Sequence, residues 1–167
     1  MYLALMDEKR IKNFKPNGNN PILIRIFNPN SDIESFDDIK YIDCYKSVLG
    51  LYMKDITSMD NIDLEKSFKL LNKFILDNNF DEIVIHCSMG ISRSPAIMIC
   101  IARILNNSML EEEIKSRYKC YNRYIVDQFD NFKYISRDDV CSEFVFEDVC
   151  NYPKRRVRSK DNFIIIN

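Results

Sequence analysis

The chain is predicted to fold as an α/β protein of three layers, a central, mostly parallel sheet of about four strands flanked by helices. Its 167 residues suit one domain better than two. With 46% hydrophobic residues it can build a core without a metal or a disulfide. Short apolar, β-rich runs alternate along the chain with longer segments of helical periodicity. Parallel strands joined by crossover helices satisfy that alternation and cover both faces of the sheet.

Residues 2–6 read as the first strand and 7–14 as a short helix, stopped by the turn Lys15-Pro16-Asn17-Gly18. Pro21 opens the second strand, 22–27, which Asn28-Pro29-Asn30 ends. Residues 32–43 are acidic and read as loop, and 45–53, apolar at 48, 49, 51 and 53, as the third strand. Asp63 is placed to cap a helix whose buried face is Phe68, Leu71, Phe74 and Ile75, closed by Asn78-Asn79. The apolar run Ile83-Val84-Ile85 suits a buried parallel strand. A helix follows from about Ser94, with Ile97, Ile101, Ile104 and Leu105 inward. Ser108 and Glu111 fit a capping box for the next helix, and 121–132 forms another. From Ser136 the rhythm changes to an aromatic-acidic stretch, a basic cluster (Lys154, Arg155, Arg156, Arg158, Lys160) and a terminal apolar run. The expected division is therefore a main domain, 1–135, and a C-terminal extension, 136–167.

Composition excludes several functions. Lysine and arginine total 24 against 25 acidic residues, a formal net charge of −1, which argues against general binding of nucleic acid. The six cysteines (44, 87, 100, 120, 141 and 150) form no C-x-x-C pair, and His86 is the only histidine, so no Cys/His zinc site can be assembled. Residues 1–6 are apolar but run at once into Asp7-Glu8-Lys9-Arg10, too short a stretch for a secretory signal. No apolar stretch approaches a membrane span. A cytoplasmic protein with reduced thiols is expected, with no membrane partner.

The segment that carries chemistry is His86-Cys87-Ser88-Met89-Gly90-Ile91-Ser92-Arg93-Ser94-Pro95. A bare Cys-x5-Arg spacing is weak, since Cys150 and Arg156 share it. The full pattern adds the only histidine, one of three glycines at the third loop position and a serine after the arginine. For this composition, chance gives that combination on the order of a few times in a million. The segment also leaves a predicted strand and enters a predicted helix. The second spacing has no glycine and no flanking element, and its Pro153 removes an N–H.

A phosphoryl group in transfer spreads negative charge over three oxygens, so positioning and electrostatics do most of the catalysis. Backbone N–H groups of Ser88, Met89, Gly90, Ile91, Ser92 and Arg93 can turn inward as a nest at the positive end of the following helix. Gly90 allows a backbone conformation that a β-carbon opposes, and Arg93 offers a planar fork for two phosphate oxygens. The same field favours thiolate over thiol at Cys87. His86 is expected to support the loop by hydrogen-bonding its backbone, and Ser94 to stabilise the departing thiolate.

Residues 86–95 resemble the active-site loop of the protein tyrosine phosphatase superfamily, in its small dual-specificity-like branch. The order of elements over residues 1–132 is similar to the small bacterial tyrosine phosphatases, while the stretch after Ser136 has no counterpart. Low-molecular-weight tyrosine phosphatases place this loop near their N-terminus, and the large tyrosine phosphatases need a longer domain. Tyr121-Asn122-Arg123-Tyr124 mimics the phosphotyrosine-recognition loop of the large enzymes but follows the cysteine instead of preceding it.

The resemblance implies a cysteinyl-phosphate mechanism without cofactor or metal, acting on a phosphotyrosine-containing protein or peptide, with 1–135 as the catalytic domain. It also implies a general acid on a loop before the cysteine. Asp55, at the end of the third strand, is the first choice and Asp60 the second, with Asp63 better explained as a helix cap. Other readings stay open: a dual-specificity enzyme, a phosphatase of RNA 5′-phosphate, phosphoinositide or a small phosphomonoester, or a phosphate-binding module without activity. The uncharged loop residues and the net charge weigh against lipid and RNA. Asn122 and Arg123 are candidates to brace the loop, Gln128 to position a water, and Cys100 to lie in the core. The basic cluster reads as a solvated tail, with docking of an acidic partner as the other option.

Overall fold

The computed structural model describes residues 1–29, 38–55, 64–137 and 145–148. The strands are β1 (Tyr2–Asp7), β2 (Pro21–Phe27), β3 (Ser47–Tyr52), β4 (Glu82–Cys87) and β5 (Val145–Asp148). They lie in the order β3-β2-β4-β1-β5, and every neighbouring pair is parallel. The first four occupy the runs where the sequence predicts strands. The fifth comes from the stretch after Ser136, where four residues of mixed aromatic and acidic character offer too little alternation to read.

Five α-helices complete the described fold: α1 (Glu8–Ile11), α2 (Leu64–Asp77), α3 (Arg93–Ile104), α4 (Ser108–Arg117) and α5 (Arg123–Asp130). Alternation along the strands sorts the core into two unequal layers. Leu3, Leu5, Ile22, Ile24, Ile26, Ile83, Ile85 and Cys87 pack with residues of α2, α3, α4 and α5. Ala4, Met6, Leu23 and Val84 face the other way, against Ile11, Ile39 and Tyr45. That thinner layer holds α1 and a 3-10 turn at Ile42–Cys44. Central β4 is buried along its whole length, as a strand covered on both faces requires.

Helix α2 buries Leu64, Phe68, Leu71 and Ile75, while Phe74 is only half-buried. Its end is fixed by Asn78, whose Nδ2 donates to the Phe74 carbonyl at 2.8 Å. The start of α4 departs from the capping box expected at Ser108. Asn107 is the cap, its Oδ1 accepting from Leu110 N–H at 2.8 Å. Glu111 is drawn instead to Arg103 (2.8 Å) and Lys115 (2.6 Å). Asn and Ser cap comparably well, so the ion pair decides between the two registers. Arg103 also pairs with Asp130, which joins α3, α4 and α5. No helix among the described residues is long and apolar enough to cross a membrane.

Because β1, β2, β3 and β4 are parallel, Asp7, Phe27, Tyr52 and Cys87 all end at one edge of the sheet. In open parallel sheets that carboxyl edge is where ligands bind.

Candidate active site

Strand β4 delivers His86 and Cys87 to this edge, and the chain turns through 88–92 before α3 begins at Arg93. Gly90 has a φ of 72°, the left-handed conformation a side chain would oppose. Its N–H points back to Cys87 Sγ at 3.2 Å. Cys87 is buried, 2% exposed, beneath the turn. Ser88 and Met89 stand exposed at the mouth, and Ile91 and Ser92 are half-buried. Pro95 falls in the first turn of α3, where a missing N–H costs nothing.

Arg93 is 3% exposed. Its Nη1 donates to Asn28 Oδ1 (2.9 Å) and to the Met53 carbonyl (2.8 Å), and its Nη2 to Ser88 Oγ (3.1 Å). These partners are all neutral oxygens, and no carboxylate among the described residues pairs with it. Its Nε is buried with no hydrogen-bond partner among the described residues. A buried cation held only by neutral groups is costly, and its placement calls for an anion. The N-terminus of α3 adds positive potential at the same point.

Asp55 sits at the rim of this turn. Its Oδ1 accepts from Ser92 Oγ at 2.6 Å and from Asn122 Nδ2 at 3.0 Å. Ser92 is the N-cap residue of α3 yet makes no side-chain cap, because its hydroxyl is turned to Asp55. Asn122 also donates its N–H to the Ser92 carbonyl (3.0 Å) and caps α5 by accepting from Ile125 N–H (3.1 Å). One segment after β3 therefore serves two ends: Met53 holds the guanidinium and Asp55 holds the loop's last turn.

His86 is 2% exposed, and its Nε2 accepts from Arg25 Nε at 3.1 Å. Burial first, and then the Arg25 charge, pull its pKa down to about 3, so the ring is neutral. The expected bond from His86 to the loop backbone is not seen: Nδ1 has no partner among the described residues. Arg25, a neighbour across the sheet, holds the ring from the side instead. Ser94 is fully buried, and its Oγ likewise has no partner among the described residues. The bond to the Cys87 sulfur that its expected role invites is therefore not formed here.

Sequence reading missed Arg25, Asn28 and Asp38. Arg25 had one signal, a charge inside an otherwise apolar strand, and Asn28 had only its place after that strand. Asp60 and Asp63 lie outside the described residues, as do Cys141, Cys150 and the basic cluster. Gln128 is exposed and lines a cavity of about 600 Å3 between α2 and α5, with Leu64, Phe68 and Phe132, to which no loop residue contributes. Arg123 is exposed beside Tyr121. Cys44 and Cys120 are exposed. Cys100 is buried in α3, where burial pushes its thiol up. Comparison with models of known protein families finds none that matches the chain, and comparison with curated proteins finds no match either.

Proposed function

We propose that the protein is a protein-tyrosine phosphatase that hydrolyses phosphotyrosine monoesters through a cysteinyl-phosphate intermediate. The observation that carries this reading is the buried Arg93 guanidinium, held by neutral oxygens, one of them the hydroxyl of Ser88, the residue that follows Cys87. Such a pairing of cation and nucleophile suits an oxyanion that must be gripped and attacked at once. A phosphate dianion brings the compensating charge, and the nest of N–H groups gives its equatorial oxygens partners that strengthen as charge spreads in the transition state.

In the first step Cys87 Sγ attacks phosphorus, the S–P bond forms, and the P–O bond to the tyrosine breaks. Asp55 gives its proton to the departing phenolate oxygen. In the second step water attacks phosphorus, Asp55 takes up the water's proton, and the Cys87 thiolate leaves inorganic phosphate behind. Asp55 has a carboxylate oxygen, Oδ2, opposite the one that Ser92 and Asn122 hold, and that oxygen carries the proton. The exposed, uncharged mouth at Met89 fits an aryl ester better than a polyanionic headgroup.

Turnover of a phosphotyrosine peptide by the wild type and by Cys87→Ser tests the reading. Wild type is expected to release inorganic phosphate and to be blocked by vanadate, which imitates the five-coordinate transition state. Cys87→Ser is expected to bind phosphate without turnover. Retained turnover in that variant overturns the mechanism. Faster release from phosphoserine peptide or 5′-triphosphate RNA than from phosphotyrosine overturns the substrate assignment.

A further inference from the structure

Beneath the loop, on the thin face of the sheet, lies a second buried arginine. Arg25 is 0% exposed in the middle of β2, directly opposite His86 in the β2–β4 register. Its Nε donates to His86 Nε2 at 3.1 Å, and its Nη2 lies 3.4 Å from Asp38 Oδ1. The guanidinium lies over the Phe27 ring, 4.9 Å from its centroid, and Phe27 meets His86 edge-on at 6.4 Å. A guanidinium taken fully out of water is costly, and one 3.4 Å contact with a partly exposed carboxylate offsets little of that cost. The position therefore calls for an explanation beyond stability.

We propose that Arg25 is a positioning residue for the phosphate loop: it fixes the tautomer and tilt of the His86 ring, and through that ring the seating of Cys87. Only the predicted effect on turnover rests on the phosphatase reading. A neutral imidazole has one donor nitrogen and one acceptor, and a guanidinium can only donate. The Arg25 bond thus makes Nε2 the acceptor and puts the ring proton on Nδ1. Protonating Nε2 would set an N–H against the guanidinium and break that bond. The charged groups around the ring are Arg25 from β2, Arg93 from α3 and Asp38 from the segment before the 3-10 turn. Two cations against one carboxylate act with burial to keep the ring neutral.

The mechanical link is short. His86 and Cys87 are consecutive on a strand, so their side chains leave opposite faces. His86 points to the thin layer, and Cys87 packs with the helices of the thick one. The peptide plane between them is where the loop begins, and a ring clamped by Arg25 restrains how far that plane can shift.

The chain's single histidine makes the test direct, because a sample labelled with 15N-histidine reports one ring. In the wild type the ring is expected in the Nδ1–H form and without titration between about pH 5 and 8, the range in which an ordinary histidine changes charge. In Arg25→Met the ring is expected to lose the fixed tautomer and to titrate at a higher pH than in the wild type, with burial and Arg93 still holding it below an ordinary histidine. Alkylation of Cys87 by iodoacetate, followed peptide by peptide, is expected to change rate with it. The kcat on an aryl phosphate should fall by about 10- to 100-fold, the scale of a misplaced reacting group, with KM moving less. Arg25→Lys keeps a donor and should recover part of each effect.

A wild-type ring in the Nε2–H form, or one titrating near the ordinary value, overturns the inference even if every variant misfolds. So does a folded Arg25→Met whose ring signals and Cys87 alkylation match the wild type. The ring and alkylation readouts need no turnover. A protein inactive on every phosphate, with its ring locked by Arg25 and Cys87 responding to the variant, would support the positioning role and overturn the phosphatase reading alone.

Discussion

Each edge of the sheet carries backbone N–H bonding to side chains of β4 or its approach, and the two edges differ in charge. Where the strands begin, Asn17 and Gly18 donate to Glu82 Oε2, and Asn19 and Asn20 donate to the Asp81 carboxylate, each at 2.8 Å. Gly18 is required there, because a β-carbon would come within 2.4 Å of Asp81 Oδ1 and 2.8 Å of Glu82 Cβ. The anion belongs to the chain, and the result is a clamp between the entry to β2 and the entry to β4. Where the strands end, Gly90 N–H meets the Cys87 sulfur, and the charge that reaches the same turn, through Ser88, is the Arg93 cation. The same backbone chemistry serves structure at one edge, where carboxylates neutralise it. At the other, on the proposed reading, it serves a phosphate that arrives from outside.

The sharpest way to break this contrast is to blunt the cation. Arg93→Lys keeps the charge but gives up the planar fork, so Asn28, Met53 and Ser88 cannot all be met while two phosphate oxygens are gripped. Turnover of phosphotyrosine peptide should drop by about 10³–10⁵-fold, the scale on which a transition-state guanidinium acts in phosphoryl transfer. Steady-state kinetics on the folded variant measures it. If lysine supports turnover near the wild-type rate, charge alone suffices and the neutral partners of Arg93 have no catalytic meaning.

Asp55 is a carboxylate that the chain brings to the turn at the second edge, and no ion pair joins it to the guanidinium among the described residues. Ser92 and Asn122 hold it at the rim, where a leaving oxygen would emerge. Asp55→Asn should slow phosphotyrosine turnover by about 10²–10⁴-fold, as loss of a general acid does. An aryl phosphate with an activated leaving group should suffer much less, since its oxygen departs without a proton. A plot of rate against leaving-group acidity for both proteins separates the cases. A uniform loss across leaving groups would make Asp55 a brace for Ser92 and nothing more.

What the sequence disclosed follows the range of the interactions involved. The apolar run Ile22–Ile26 and the run Ile83–Ile85 announce buried strands locally, and Cys87, Gly90 and Arg93 lie within seven consecutive positions. Arg25 and His86 are 61 residues apart and meet only through the β2–β4 register, which no local pattern encodes. Asn28 is equally remote from Arg93, at 65 residues. Asn122 stands in the sequence as a candidate brace for the loop, but its partner Asp55 is 67 residues away and shows only once α5 has folded back. The cap of α4 is Asn107 and not Ser108 because both are good caps, and the pairing of Glu111 with Arg103, eight residues earlier, takes that carboxylate away from a capping box.

The smallest expected effect lies at the first edge and should leave chemistry untouched. Glu82 is fully buried, and its Oε2 takes two backbone N–H bonds. Glu82→Gln keeps the shape and one acceptor oxygen but removes the charge. Bonds to an ionised acceptor are roughly twice as strong as neutral ones, so the two bonds together should weaken by about 1–2 kcal/mol. Urea unfolding should show the midpoint lowered by that loss divided by the slope, with the slope itself unchanged, since the surface exposed on unfolding is the same. The kcat on phosphotyrosine peptide should hold at the wild-type value, because β4 separates Glu82 from Cys87 by its whole length. A fall in kcat to match the loss of stability would mean that the clamp at one edge sets the loop at the other. In that case the two edges would form one device, and the contrast between a structural anion and a functional one would no longer hold.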